Sequence, residues 1–338
     1  MNYYAPIIYQ VPPEEEGFYL KTILHNKMGL SRKLVSRLKQ TEQGITVNGR
    51  REYISIKVQS GDRIELRMEE EESEDILPQD LPLEILYEDE HLLIVNKEPG
   101  MIVHPTHGHY VNTLANGVVH HWKQRGENVR FRPIHRLDQE TSGVLAIAKN
   151  PYVHQQISEQ MIARTIHKEY LALVHGSVAE DQGTIDAPID RNPEEPHVRI
   201  VTPEGYRAVT HYEVVQRYAG LTLVRLMLET GRTHQIRVHM KHLGHPLLGD
   251  KMYGPGSGEA AEACDCICTE ADANASAVDE DEAAPAAGRG LSRQALHAYR
   301  LAFDHPGTRN RVEFTAPLPA DMQAVIDACS SSRGADES

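Results

Sequence analysis

His135-Arg136-Leu137-Asp138-Gln139-Glu140-Thr141-Ser142-Gly143 runs without a break into Val144-Leu145-Ala146-Ile147-Ala148. The second part is a short continuous apolar run, the pattern of a strand buried on both faces. The first part sets one acid beside a guanidinium and ahead of a small, turn-prone Thr-Ser-Gly. An acid at the mouth of a core strand is presented by a rigid scaffold, which is where binding and catalytic side chains concentrate.

The rest of the chain supplies context on either side. Asn150-Pro151 follows the strand as a helix start, with a capping Asn and Pro at the first turn. Val153, Ile157 and Met161 then recur every four residues on one apolar face. Strands are predicted over 167–175 and 221–229. A helix opens at Thr233, with Ile236, Met240 and Leu243 inward, and closes at Gly244 before Pro246. Further strands are predicted at 296–301 and 311–314. Upstream, Ile7–Val11 reads as a strand, and Phe18, Leu20, Ile23 and Leu24 as a helix. Ser31 caps a second helix with Leu34, Val35 and Leu38 on one face and Arg32, Lys33 and Arg37 elsewhere. Asn48-Gly49 is a hairpin turn signal.

The 338 residues suffice for two domains, and neither a signal peptide nor a membrane-length apolar run is read, so a cytoplasmic protein is expected. Mean hydropathy is -0.47. A net charge of -14 argues against a nucleic-acid partner until its distribution is considered. Residues 69–80 hold seven acids and residues 259–282 nine, neither with a base. Residues 17–68 hold eleven Lys or Arg against four acids. One small basic domain therefore stands out from an otherwise acidic chain. The domains expected are 1–75, basic and RNA-binding; 76–82, the end of an extended, self-repelling acidic tether; and 83–330, catalytic, interrupted by a disordered acidic insert over 255–292.

Cys264, Cys266 and Cys268 lie in that insert without a second Cys or His pair at zinc-site spacing, so they are read as free thiols and no metal is expected. The 19 histidines make chance clusters common. No phosphate-cradling glycine loop, metalloprotease helix or serine elbow is present in the sequence.

His-Arg-Leu-Asp-x-x-Thr-Ser-Gly at 135–143 resembles the signature of the RluA-type RNA pseudouridine synthases. Two further stretches resemble that family's motifs: Lys168-Glu169-Tyr170-Leu171-Ala172, and Gly231-Arg232-Thr233-His234-Gln235-Ile236-Arg237-Val238-His239. Asn96-Lys97-Glu98-Pro99-Gly100 is similar to its Asn-Lys-Pro-x-Gly, with Glu98 as a departure. The layout of residues 14–68, with Ile45-Thr46-Val47-Asn48-Gly49-Arg50 and Gly61-Asp62-Arg63-Ile64, resembles the S4-type (alpha-L) RNA-binding domain. The resemblance covers about 83–254 and 293–318 in the catalytic part, and more weakly 14–68.

The resemblance implies an α+β fold, with a central mixed, mostly antiparallel sheet and a cleft across it. It implies isomerisation of specific uridines, most readily in 23S rRNA: the base detaches from the ribose, turns, and rejoins through C5. No redox change occurs, so no cofactor is needed. Asp138 corresponds to the catalytic aspartate, Arg237 to the arginine that pairs with it, and Tyr170 to the aromatic that stacks on the flipped base. Arg136 corresponds to the arginine that displaces that base. Arg232, Lys97, Arg32, Lys33 and Arg37 are expected to contact RNA through phosphates, and Arg191, Arg199 and Arg207 are weaker candidates on charge alone. The partner implied is structured RNA, rRNA before tRNA, met by a monomer. The competing reading is a non-catalytic RNA-binding ribosome-assembly factor. A pure binder, however, has no use for a carboxylate facing a polyanion.

Overall fold

The computed structural model describes residues 2–255 and 291–331. The expected acidic insert and its three cysteines fall almost wholly outside the described residues. The chain is α+β, with a large, mostly antiparallel sheet. Its packing divides it into two units, one of residues 1–139, 144–166 and 301–314, the other of residues 140–143, 167–300 and 315–338.

The first unit begins with β1 (Ile7–Gln10), α1 (Leu20–Thr22, continued by a π-helical turn at Ile23–Lys27), α2 (Arg32–Leu38), β2 (Ile45–Val47), β3 (Arg50–Arg51) and β4 (Arg63–Leu66). The strands form an antiparallel sheet in the order β1-β4-β2-β3. Asn48 and Gly49 turn β2 into β3 with positive φ at both positions, as a two-residue hairpin requires. The Ser31 hydroxyl accepts from the Leu34 amide and caps α2, whose Leu34, Val35 and Leu38 are buried with Leu20, Ile23 and Leu24.

The same unit continues through β5 (Glu84–Glu88), β6 (Leu92–Lys97), α3 (Leu114–Gln124), β7 (Ser142–Ala148, here from Val144) and α4 (Pro151–Ala163). All seven residues of β7 are buried, as its apolar run predicts. Asn150 caps α4 by accepting from the Val153 amide at 2.9 Å. The N-terminal layer docks on α4: Tyr152 Oη donates to Met28 O at 3.1 Å, and Gln155 Nε2 to Gly29 O at 2.7 Å.

The acidic stretch does not behave as a self-repelling tether. The Glu71 carboxylate is met by Arg37, Arg130 and Arg132. Ser73 and Ile76 are buried, and Ser73 Oγ accepts from the Phe131 amide at 2.8 Å. Glu71, one acid of the run, is neutralised here by arginines that lie far away in sequence.

The second unit contains β8 (His167–His175), β9 (Gln182–Asp186), β10 (Ile189–Arg191), β11 (Arg199–Val201), β12 (Val209–Tyr218), β13 (Leu221–Leu228) and α5 (Gln235–His242). The start of β14 (Leu296–Asp304) follows, then β15 (Arg311–Thr315, largely in the first unit), and α6 (Ala320–Ser331) closes the described chain. β8, β13, β12 and β9 are neighbours in that order, each pair antiparallel. Leu171 and Leu173 of β8 pack with Leu223, Leu248, Ala295 and Met322, which makes their side of the strand a core face. Among the described residues no helix is long and apolar enough to cross a membrane.

Candidate active site

Asp138 is partly buried, next to Leu137, which is buried in the first unit. Its neighbour Gln139 is held from two sides. Lys97 Nζ donates to Gln139 O at 2.9 Å, and Gln139 Nε2 donates to Gly100 O at 3.1 Å. Lys97 also donates to Glu98 O and Met101 O, both at 2.8 Å. At 1% exposure it is not the phosphate contact that its charge suggested. It is a buried ammonium satisfied by three carbonyls, the arrangement that makes burial of a charge tolerable, and it anchors the loop beside Asp138.

Glu140–Gly143 belong to the second unit and are fixed there. Arg293 Nη1 donates to Glu140 O at 3.1 Å, and Gln294 Nε2 to Thr141 Oγ1 at 3.2 Å. His297 Nε2 donates to Ala316 O, which leaves Nδ1 as the acceptor for the Ser142 hydroxyl at 2.9 Å. Ser142 and Gly143 lie opposite His297 and Ala298 in a parallel register. Gly143 has φ of +113°, and a Cβ there would lie 2.2 Å from Ala298 O, so only glycine fits. Thr-Ser-Gly is therefore a locked strand entry rather than a loose turn.

Arg237, on α5, is 6% exposed. Its Nε lies 2.7 Å from Asp250 Oδ2, and its Nη2 lies 2.8 Å from Oδ1. Asp250 also accepts from the Met252 and Tyr253 amides, each at 3.0 Å. The Tyr253 ring stands 4.8 Å from the guanidinium carbon. Burial pushes the Asp250 carboxyl up, but the hydrogen bonds and charge of Arg237, with the two amides, hold it below the usual carboxylate range. Sequence reading did not pick out Asp250 or Tyr253. Their only local signal is Gly249-Asp250-Lys251-Met252-Tyr253-Gly254, an Asp-led turn between glycines.

The α5 helix starts two residues later than expected, at Gln235, after His234 in a left-handed conformation. Gln235 accounts for this. Its Oε1 accepts from the Arg232 amide at 2.9 Å and the Thr230 hydroxyl at 2.8 Å. Its Nε2 donates to Val209 O at 3.0 Å. The loop 230–234 is thereby clamped to β12 instead of continuing the helix.

Tyr170 is 8% exposed on β8, paired with Leu226 of β13. The structure brings its motif beside the Gly231–Arg237 motif: a Cβ on Gly231 would lie 3.7 Å from Lys168 Nζ. Burial lowers the Lys168 ammonium from its ordinary range. Among the other candidates, Arg136, Arg232, Arg32 and Lys33 are exposed. Arg37 is half exposed and ion-paired with Glu71, which removes part of its pull on a phosphate. Arg207 pairs with Glu229 at 3.1 Å. Among the described residues no group of three or more His, Cys, Asp or Glu is arranged to hold a metal ion.

Residues 91–242 match the family model described as RNA pseudouridylate synthase, a span that includes Asp138, Tyr170 and Arg237. The chain is 42% identical over 286 residues to an uncharacterized RNA pseudouridine synthase of Bacillus subtilis, YlyB, covering 84% of each. It is 38% identical over 302 residues to the ribosomal large subunit pseudouridine synthase D of Vibrio parahaemolyticus, covering 87% of this chain and 86% of that one. Among solved structures it is similar to human RNA pseudouridylate synthase domain containing 1. The TM-score is 0.51 and the identity 26%, over 75% of this chain and 96% of that one.

Proposed function

This chain belongs to the RNA pseudouridylate synthase family and is an isomerase acting on RNA; we propose that its substrate is 23S rRNA and that Asp138 is its catalytic carboxylate. The observation that carries the reading is the anchored backbone next to Asp138 in the first unit: Lys97 donates to the Gln139 carbonyl, and Gln139 Nε2 donates to the Gly100 carbonyl. A side chain on such a backbone is suited to meet a reacting atom, because positioning supplies much of an enzyme's rate. The ribosomal assignment is supported by relatives whose name is ribosomal large subunit pseudouridine synthase D.

In this proposal the target uridine leaves its stack and enters the site, since its ring is unreachable inside a helix. The N1–C1′ bond breaks, the uracil turns, and C5–C1′ forms. The hydrogen leaves C5 and a proton is taken up at N1, so nothing is oxidised or reduced. Asp138 is the carboxylate required by attack at C1′, attack on the base or a glycal route, all of which end in the same product. Arg237, oriented by Asp250, supplies a fixed positive charge to the reaction. Tyr170 stacks on the detached base, and its hydroxyl acts in proton removal. Arg136 displaces the base; Arg232, Arg32, Lys33 and Arg37 meet phosphates; residues 1–75 serve as an S4-type RNA-binding module. We place the enzyme in the cytoplasm as a monomer.

The test is release of tritium from 23S rRNA labelled at uridine C5 and isolated from a strain lacking the gene. The proposal predicts release by the purified protein. No release from 23S rRNA, with release from tRNA, would overturn the ribosomal assignment.

A further inference from the structure

Tyr206 is 64% exposed, yet its backbone is among the firmly held parts of the second unit. Its amide donates to Ile189 O at 2.9 Å, and its carbonyl accepts from the Ile189 amide at 3.0 Å. The preceding turn closes through Gly205 N to Thr202 O at 3.0 Å. A Cβ on Gly205 would lie 2.7 Å from the carbonyl carbon of Ile189, so glycine is what lets the turn press this closely on β10. A rigid backbone thus presents a large ring to solvent.

The ring is also held in place. The guanidinium carbon of Arg232 stands 5.5 Å from its centroid, within cation–π range. Arg232 is steadied in turn by donating from Nε to Arg207 O at 3.1 Å. Charges of both signs lie on the neighbouring segments. Asp190 accepts from the Arg191 amide, Glu204 from the Thr202 hydroxyl, and Glu229 pairs with Arg207 and His211. The surface therefore offers a pre-placed π face rather than a field of positive charge. An exposed aromatic on the turn before β12, with Arg232 of the Gly231–Arg237 motif against it, has the chemistry of a nucleobase platform. Stacking tolerates any base but requires that base to be unpaired.

We propose that Tyr206, steadied by Arg232, stacks on an unpaired base of the RNA substrate other than the target uridine, so that the enzyme selects uridines in single-stranded or looped stretches. The inference rests on the reading of this chain as an RNA-modifying enzyme. It adds a residue outside the catalytic set and a secondary-structure requirement on the substrate.

The experiment is fluorescence anisotropy with a labelled single-stranded oligouridylate of about ten nucleotides, within the range one such surface occupies. Wild type, Tyr206→Ala and Tyr206→Phe are compared over a salt series. Tyr206→Ala is expected to weaken binding about tenfold, the scale of one lost base stack. Tyr206→Phe should bind as wild type does. The slope of log affinity against log salt should be the same for all three, since no phosphate contact is removed. Unchanged affinity in Tyr206→Ala, a slope that falls with affinity, or a wild type that does not bind the oligomer would each overturn the proposal. At saturating 23S rRNA, Tyr206→Ala should keep the wild-type kcat while KM rises. A wild type that binds the oligomer but isomerises no ribosomal uridine would count against the ribosomal reading and leave the platform intact.

Discussion

Arg237 and Asp250 meet through two parallel bonds, Nε to Oδ2 at 2.7 Å and Nη2 to Oδ1 at 2.8 Å, with both residues about 5% exposed. Two bonds fix the plane of the guanidinium as well as its position. The motif arginine is therefore set by an acid thirteen residues downstream, and the site's positive charge is pre-oriented by the fold.

Replacing that acid separates support from chemistry. Asp250→Ala breaks a buried, doubly hydrogen-bonded ion pair, so stability should fall by about 3–5 kcal/mol in denaturant titration. Asp250→Asn keeps the shape but loses the charge. At temperatures where it stays folded, kcat should drop while RNA affinity is held. An Asn variant with wild-type kcat would show that the pair has no part in positioning Arg237.

Gly143→Ala tests the locked strand entry. The added methyl would lie 2.2 Å from Ala298 O at a φ of +113°. Backbone strain alone costs about 1–3 kcal/mol, and the clash adds to it. A loss of at least that size is expected in equilibrium unfolding. A loss of a few tenths would mean that the Thr-Ser-Gly segment is not held as described.

Tyr170→Phe keeps the ring and removes the hydroxyl. If the hydroxyl takes part in proton removal, turnover should fall roughly 100-fold, the lower end for general acid–base groups, with KM little changed. Near-normal turnover would limit Tyr170 to stacking.

Asp89 provides a pH signature. Burial pushes its carboxyl up, but His305, the His91 and Leu92 amides and the Tyr87 hydroxyl hold it far below the ordinary range. A depressed carboxyl contributes stability above its unfolded value and loses it as pH falls toward the folded one. Tm should therefore decline as pH drops below about 4, and decline less steeply in Asp89→Asn. Parallel Tm curves for the two proteins would refute this.

Much of the local structure is legible along the chain because its causes are local. Asn150-Pro151, Asn48-Gly49, Ser31 and Gly244 each act within a few residues, and β7 announces itself by its apolar run. The candidate site is legible where motif residues lie close in sequence: Asp138, Tyr170 and Arg237 each stand in a quotable stretch. What stays hidden is settled by partners far away. Lys97 looks like a phosphate contact until the carbonyl of Gln139, 42 positions on, accepts its third hydrogen bond. Glu71 looks like part of a repelling run until Arg132, 61 positions on, meets it. The helix at Thr233 fails to start because Gln235 bonds to β12, a tertiary competition that periodicity does not register.

If Asp138 is the catalytic carboxylate for a ribosomal uridine, its loss must abolish modification of that uridine in the cell. The direct measurement is pseudouridine mapping of total RNA from a strain lacking the gene, complemented with wild type or with Asp138→Asn. One or more 23S rRNA sites should disappear on deletion, return with wild type, and stay absent with a folded, RNA-binding Asp138→Asn protein. Restoration of those sites by Asp138→Asn would contradict that role.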